Sequence, residues 1–550
     1  MKFLNLTLSL ALTFGLLTGC APASSGSATS TEITIQQTGS TETTGETTTI
    51  TFTDTAVTAS NAAGLEINGT TLTIDKAGTY LLTGQCADGS VKVAKGTTGV
   101  TLVLDGLNLT SKTTAPIVCG KSSQVIIEAA ESTENTLQDS ENNAEDSGNA
   151  DAENAVIKCK DGSQVILAGS GTLNILAQGK NGIKSGATTQ TEGEASLTVQ
   201  NLVLNIEAPN NDAINAEATL NIESGTLTLS AGDDALHSDY TLNIGSENTT
   251  GPTVTVTASN EGLEGATVNI CSGTIHITST DDCINAANEG LTDYSYAINI
   301  SGGTVIAYSS TGDGFDSNGN LTISGGTVAV WTANGADNEP LDADGTVTIS
   351  GGTVLAAGGS SGMGMNLNAQ QSCLIFGGNT SAPMGGQPQE KPEFSDSSAP
   401  LEAPDRPDNQ QNPESTPSSG TLEAPTPPDQ NGQMPTGEKP QGMGGSGNAG
   451  TLLMENSTFS ILDAQGNTLY SGSAPCNTMY LLFSAPDLTD GTTATLSCGD
   501  TETTATAQSG TLSTGRGGIG NPGGNRQFPK NGGDKATGQK AEGQAAQTSK

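Results

Sequence analysis

The acidic residues of this chain recur at a fixed offset from single apolar residues, and that offset suggests what they could do. Asn181, Asp212, Asp234, Glu261, Asp282, Asp313 and Glu339 each stand two positions before Ile183, Ile214, Leu236, Leu263, Ile284, Phe315 and Leu341. The residues just after those apolar positions form a second series: Lys184, Asn215, His237, Glu264, Asn285, Asp316 and Asp342. In a strand the apolar member faces inward and its successor outward, and strands stacked about 4.8 Å apart would align both series into one oxygen-rich ridge. Asp233, Asp281 and Asp344 flank it. Carboxylates at that separation repel by about 1 kcal/mol in water and by more at a protein surface. Either their protons stay on or cations intervene.

Ca2+ takes about six to eight oxygen ligands at roughly 2.3–2.6 Å. The expected calcium clusters are Asp234 with Glu261 and Glu264, Asp282 with Asp313 and Asp316, and Glu339 with Asp342. The same residues also suit an acidic, solvated turn that deters edge association, and spacing alone does not choose between the two.

Other chemistry is thinly provided. No Lys or Arg lies between Lys184 and Lys391, so β-elimination, which needs a base, would have to use Lys158, Lys160, Lys180 or Lys184 on the early repeats. His237 and His276 are the only histidines. His237 falls on the outward series and is a candidate base, although an exposed turn histidine is the commoner role. A stacked acidic ridge offers the carboxyl spacings that glycosidases use almost anywhere along it, so such pairs are weak support for hydrolysis. Sugar stacking needs aromatic faces. Trp331 and Tyr308 are the candidate carbohydrate-binding pair, with Tyr294 and Tyr296 behind them, and each is as well suited to packing. Cys119 and Cys159 share a repeat position, which fits either a disulfide or a ladder of small buried residues. Cys476 and Cys498 are another possible pair.

The elements that must hold these residues are strands. The phrase Ile-Ser-Gly-Gly-Thr-Val occurs at 300–305, 323–328 and 349–354, and related phrases occur at 222–227 and 270–275. Each reads as strand, glycine corner, strand. The apolar members of the acidic block are 21 to 31 residues apart, as in a solenoid whose coils share strands but differ in loop length. Aromatics are only 3% of the chain and glycines number 72, a poor composition for an ordinary globular core but adequate for stacked Val, Ile, Leu and Ala. The expected fold is all-β, a right-handed single-stranded parallel β-helix.

The expected divisions are a lipoprotein signal peptide at 1–20, a Ser/Thr-rich linker at 21–50 and the parallel β-helix at 51–379. A disordered Pro/Gly-rich insertion follows at 380–450, then strands completing or capping the helix at 451–512 and a disordered basic tail at 513–550. Residues 139–153 read as a solvated acidic loop. Lys2, an apolar run and Leu17-Thr18-Gly19-Cys20 form a lipobox, so Cys20 is the expected lipidation site, tethering the chain to the outer face of a bacterial cell membrane. A net charge of −39 excludes nucleic acid as a partner, because phosphates would be repelled. An acidic polymer would need bridging cations.

The stretch from about Ile50 to Thr511 resembles the carbohydrate-binding β-helix lipoproteins of clostridia and their relatives. The resemblance rests on Gly78-Thr79-Tyr80-Leu81-Leu82-Thr83-Gly84, Val103-Leu104-Asp105-Gly106, Glu134-Asn135-Thr136-Leu137 and Gly169-Ser170-Gly171-Thr172-Leu173. It rests further on Asn181-Gly182-Ile183-Lys184-Ser185, Glu261-Gly262-Leu263-Glu264-Gly265 and Leu482-Phe483-Ser484-Ala485-Pro486-Asp487-Leu488. It implies a pectate-lyase-like fold, bound calcium and a plant cell-wall polysaccharide partner such as cellulose or polygalacturonate. The resulting expectation is a monomeric, non-catalytic, lipid-anchored binding protein. A divergent polysaccharide lyase or glycoside hydrolase, and a purely structural adhesin or stalk, are the competing readings.

Overall fold

The computed structural model describes residues 47–186, 196–288, 290–291, 293–333, 338–358, 365–377 and 451–514. The expected lipobox with Cys20, nearly all of the linker, the Pro/Gly-rich insertion and most of the basic tail lie outside the described residues. The described chain is all-β, and two single-turn 3-10 segments, Glu141–Asn143 and Glu145–Ser147, are its only helices. No helix among the described residues is long and apolar enough to cross a membrane.

Through the middle of the chain, strands fall into three parallel ladders that the backbone visits in rotation. Asn181–Ser185 belongs to the first, Ser196–Val199 to the second and Val203–Ala208 to the third, and Ile214–Ala216 returns to the first beside Asn181–Ser185. Two long strands, Leu236–Ile244 and Leu263–Ile270, serve the first and second ladders at once. Corners recur where the Ser-Gly-Gly phrases stand. Gly303, Gly326 and Gly352 hold φ at 79°, 80° and 81° there, a region that side chains with a Cβ avoid.

The apolar positions do what their spacing predicts. In the first ladder Val91, Ile117, Ile157, Ile183, Ile214, Leu236, Leu263, Ile284, Phe315 and Leu341 pair in one continuous row. All are buried. Each strand is short, so stability comes from stacking aliphatic rows rather than from any one element. An outward amide ladder reinforces the second ladder: Asn243 Nδ2 donates to Asn221 (3.0 Å), Asn269 to Asn243 (2.9 Å) and Asn299 to Asn269 (3.0 Å).

Antiparallel pairing ends the stack. Tyr480–Ser484 lies antiparallel to Thr353–Gly358 and to Met365–Gly377, and Gln508–Thr514 also pairs with the latter. The last strand therefore runs two residues past the expected boundary. A separate antiparallel sheet of Thr468–Ser473, Thr458–Asp463, Thr493–Cys498 and Thr501–Thr506 packs a second apolar cluster around Trp331, Leu355, Phe376, Phe459 and Phe483.

One expectation needs correction and one open alternative is decided. Residues 139–153 are not simply solvated: Asp139 and Asn143 are buried. Asp139 accepts the N–H groups of Gln178 (2.7 Å) and Gly179 (3.1 Å), and Asn143 Nδ2 donates to it and to the Ala155 carbonyl, both at 2.8 Å. The loop thus plugs a coil edge whose backbone donors need partners. Of the two alternatives for Cys119 and Cys159, the structure has the buried ladder: they pair in register as free thiols. Cys476 and Cys498 are free thiols as well.

Candidate metal centre

The first ladder builds the ridge. Backbone N–H groups of Gly182, Ala213, Ala235, Gly262, Cys283 and Gly314 donate to the carbonyls of Asp212, Asp234, Glu261, Asp282, Asp313 and Glu339 at 2.8–3.1 Å. Each acidic residue is thereby fixed one rung beyond the last. Rungs approach closely: a Cβ on Gly182 would lie 2.5 Å from the Ala213 carbonyl oxygen, and one on Gly314 would lie 2.4 Å from that of Pro340. The outward series aligns in register as Lys158, Lys184, Asn215, His237, Glu264, Asn285 and Asp316. The bridge between Phe315 and Leu341 sets Asp342 on the rung after Asp316.

Two groups of side chains converge on this ridge. In the first, His237 Nδ1 lies 2.5 Å from Glu264 Oε2 and 3.0 Å from Asp234 Oδ2, and Nε2 lies 2.9 Å from Asp239 Oδ1. Burial opposes the imidazolium charge, but the bonds to Asp234, Asp239 and Glu264 outweigh it and raise His237 well above its ordinary range. Burial, then the nearby Glu264, raises Asp234. Burial also works against the Glu264 charge, yet its bonds to His237 and Asp234 leave it lowered. Three carboxylates thus surround one imidazolium, and Asp234, the most buried of them, holds its proton more readily than a free carboxyl group.

The second group carries no such balance. Oxygens of Asp313, Asp316 and Asp342 lie within 4.8 Å of one another. Burial first, then repulsion by Asp282, Asp316 and Asp342, pushes Asp313 up to about 7. Burial and then Asp342 and Asp344 push Asp316 up to about 6. Asp282, pushed up to about 7 by burial and then by Asp316, Asp281 and Glu261, extends the strain one rung back. Its carboxylate accepts the Asp313 N–H at 2.7 Å, and Asp313 in turn accepts that of Glu339 at 2.5 Å. None of the ion pairs among the described residues involves these four aspartates.

The second group fits a hard cation. Two oxygens each about 2.4 Å from one Ca2+ lie at most about 4.8 Å apart, and the donor set is all oxygen. On the rung before Asp316, Asn285 spends its Nδ2 on Glu261 Oε2 (3.0 Å), while its Oδ1 is buried without a hydrogen-bond partner. A buried carbonyl-type oxygen lacking a donor is costly unless a cation or water serves it.

The grouping differs from the one spacing suggested. Asp234 and Glu264 come together, with His237 rather than Glu261 as their third member. Asp313 and Asp316 come together, with Asp342 rather than Asp282. Glu261 is drawn off by Asn285, and Glu339 is buried and offers its backbone to Asp313. His237 reads in the sequence as a candidate base or, more commonly, an exposed turn residue, not as a partner of these acids. Its placement beside Glu264 follows from the register of the outward series, the one signal that could have revealed it.

Trp331 is not a stacking platform. It is only 5% exposed, and its ring meets Phe459 edge-on at 5.9 Å, because the terminal antiparallel sheet covers it. Tyr308, its register neighbour, is partly buried against the same cluster. Tyr294 and Tyr296 lie 5.5 Å apart, with their hydroxyls bonded to Thr267 and to the Asn288 carbonyl respectively.

A β-stacked chain with a carboxylate ridge of this kind matches the family model of carbohydrate-binding domain-containing proteins over residues 68–249 and 242–389. The chain belongs to that family. A carbohydrate-binding domain-containing protein of Acetivibrio thermocellus is 32% identical over 152 residues, 28% of this chain and 52% of the relative. The chain thus spans about half the length of that relative. The structure of a polysaccharide lyase-like protein from C. thermocellum, solved as a gadolinium derivative, aligns at 24% identity and a TM-score of 0.33, covering 55% of this chain and 97% of that one.

Proposed function

We propose that this chain is a non-catalytic polysaccharide-binding protein whose Asp313–Asp316–Asp342 group holds Ca2+ and through it an acidic, pectin-type chain. Family membership supports the carbohydrate partner, and the uncompensated carboxylate group is the observation that carries the calcium reading. Bound there, Ca2+ would neutralise the ridge and bridge protein carboxylates to sugar carboxylates. The chain's own residues supply the rest. The Phe315 and Leu341 side chains anchor the two rungs from inside, and Asp282 orients Asp313 through its backbone N–H. In this reading the three ladders close into a right-handed parallel β-helix, Cys20 carries lipid and the protein stands monomeric on the outer face of a bacterial membrane. Cellulose is the alternative polymer.

A binding role is favoured over catalysis by where the basic groups sit. Lys184 is five rungs from Asp316, about 24 Å at a rung spacing of about 4.8 Å, too far for one sugar ring to meet both. His237 has both ring nitrogens occupied by carboxylates, which leaves no lone pair for a substrate proton.

Retention of the purified chain on insoluble polygalacturonate and cellulose, with calcium or with chelator, tests the proposal. The supernatant is assayed for released sugar ends. Calcium-dependent retention on polygalacturonate without release is expected. Release of sugar ends would make this an enzyme, and equal retention in chelator would remove calcium from the account.

A further inference from the structure

The outward series that ends in carboxylates begins with lysines. Lys158 and Lys184 pair in register on adjacent rungs. Among their neighbours Lys160 lies 2.6 Å from Glu153, Lys180 2.9 Å from Glu145 and Lys121 pairs with Asp161, while Lys184 lies 3.2 Å from Glu217 and donates to Asn215 at 3.2 Å. Lys158, partly buried, has no ion pair or hydrogen bond among the described residues. Burial, then repulsion by Lys184, holds its ammonium below the ordinary lysine range, while Glu217 and Glu153 act on it only at a distance. In a chain with 58 acidic and 19 basic side chains, two stacked lysines with one lacking a partner are an unusual arrangement. An ammonium offers three donors to an anion.

We propose that Lys158 and Lys184 form a calcium-independent seat for one uronate carboxylate of an acidic polysaccharide. The seat rests on the polysaccharide reading given above and names the chemistry of its second contact. A linear polyuronate lying along the outward series would meet ammonium groups at one end and the aspartate group at the other. Two weak contacts on one chain then reinforce each other through effective concentration. The seat also explains why a strongly acidic ridge ends in lysines: they supply the direct attraction that the carboxylates refuse.

Calorimetric titration of the full chain with trigalacturonate, in chelator and at low salt, tests the seat apart from calcium. Wild type is expected to bind, more weakly as salt rises. Lys158→Gln and Lys184→Gln are each expected to lose about tenfold in affinity, a common size for one charge-assisted contact. The methyl-esterified trimer is expected not to bind. The melting temperature of Lys158→Gln should hold or rise, since an unpaired cation is removed, whereas a merely structural lysine would lower it. Equal trimer affinity in wild type and both variants, or no binding by wild type in chelator, would overturn the seat. Failure of the broader reading has a different signature, loss of wild-type retention on polygalacturonate in calcium.

Discussion

The groups Asp234–His237–Glu264 and Asp313–Asp316–Asp342 sit three rungs apart on one ladder, built by the same backbone pattern. The first has its own cation, the imidazolium, and burial beside Glu264 raises Asp234, which lessens the charge left over. The second has only aspartates, two of them raised by burial before repulsion is counted. A repeat can thus solve the same crowding in two ways, and one outward side chain decides which. A histidine at that position gives the group a cation of its own, and an aspartate leaves the group without one.

Exchanging the deciding side chain should break the contrast most strongly. His237→Asn leaves Asp234, Glu264 and Asp239 without their cation, and removing one partner of a largely buried ionic group costs about 3 kcal/mol. Chemical denaturation in chelator should show that loss. Calcium should recover part of it, because the variant site now resembles the aspartate group, so calcium should stabilise His237→Asn more than wild type. A variant equally destabilised with and without calcium would break the analogy.

Calcium itself comes next. At one hundred times its Kd, one bound ion stabilises the fold by about 2.7 kcal/mol, visible as a higher melting temperature. Asp316→Asn with Asp342→Asn should abolish that increment and leave the chelator value unchanged or raised, since repulsion is relieved. An increment that survives the double substitution would place calcium elsewhere.

The pH response sharpens the same comparison. Asp282, Asp313 and Asp316 are raised from 3.8 to about 7, 7 and 6, so the folded state holds protons that the unfolded chain has released. Stability from these groups is greatest on the acid side and declines between about pH 4 and pH 7. Saturating calcium should flatten that decline. The histidine group responds over a wider range: Asp234, raised to about 9, loses its contribution from about pH 4 upward, whereas the raised His237 loses its own only as pH climbs through its higher folded value. Melting curves across pH, with and without calcium, separate the two. A metal-free chain that grows more stable from pH 4 to pH 7 would contradict the assignment for the aspartates.

The smallest effect is expected at Glu261. It is pushed up to about 7 by burial and then by Glu264, and its carboxylate serves Asn285. Glu261→Gln should keep that contact and change stability by no more than about 0.5 kcal/mol, with the calcium increment intact. Loss of the increment would restore Glu261 to the metal group.

The ladder was legible in the sequence because a buried apolar residue at each rung, from Ile183 through Leu341, is a demand no loop imposes. Once that row is aligned, the outward neighbours follow automatically. The grouping of acids was not legible, because each long side chain chooses among partners one rung away on either side. Glu261 reaches Asn285, and His237 reaches back to Asp234 and forward to Glu264, and no spacing rule encodes those rotamers. The choice between stacking and packing at Trp331 was not legible for a different reason: its side chain faces outward from the ladders, and only the docking of the distant strand Thr458–Asp463 turns that face into a core.

The central claim is that the aspartate group, lacking an internal cation, is the calcium site. Calorimetric titration of the chelator-stripped chain with Ca2+, wild type beside Asp316→Asn with Asp342→Asn, tests it most directly. The account predicts a saturable binding event in wild type that disappears in the double variant. The same isotherm in both proteins, or none in wild type, would contradict it.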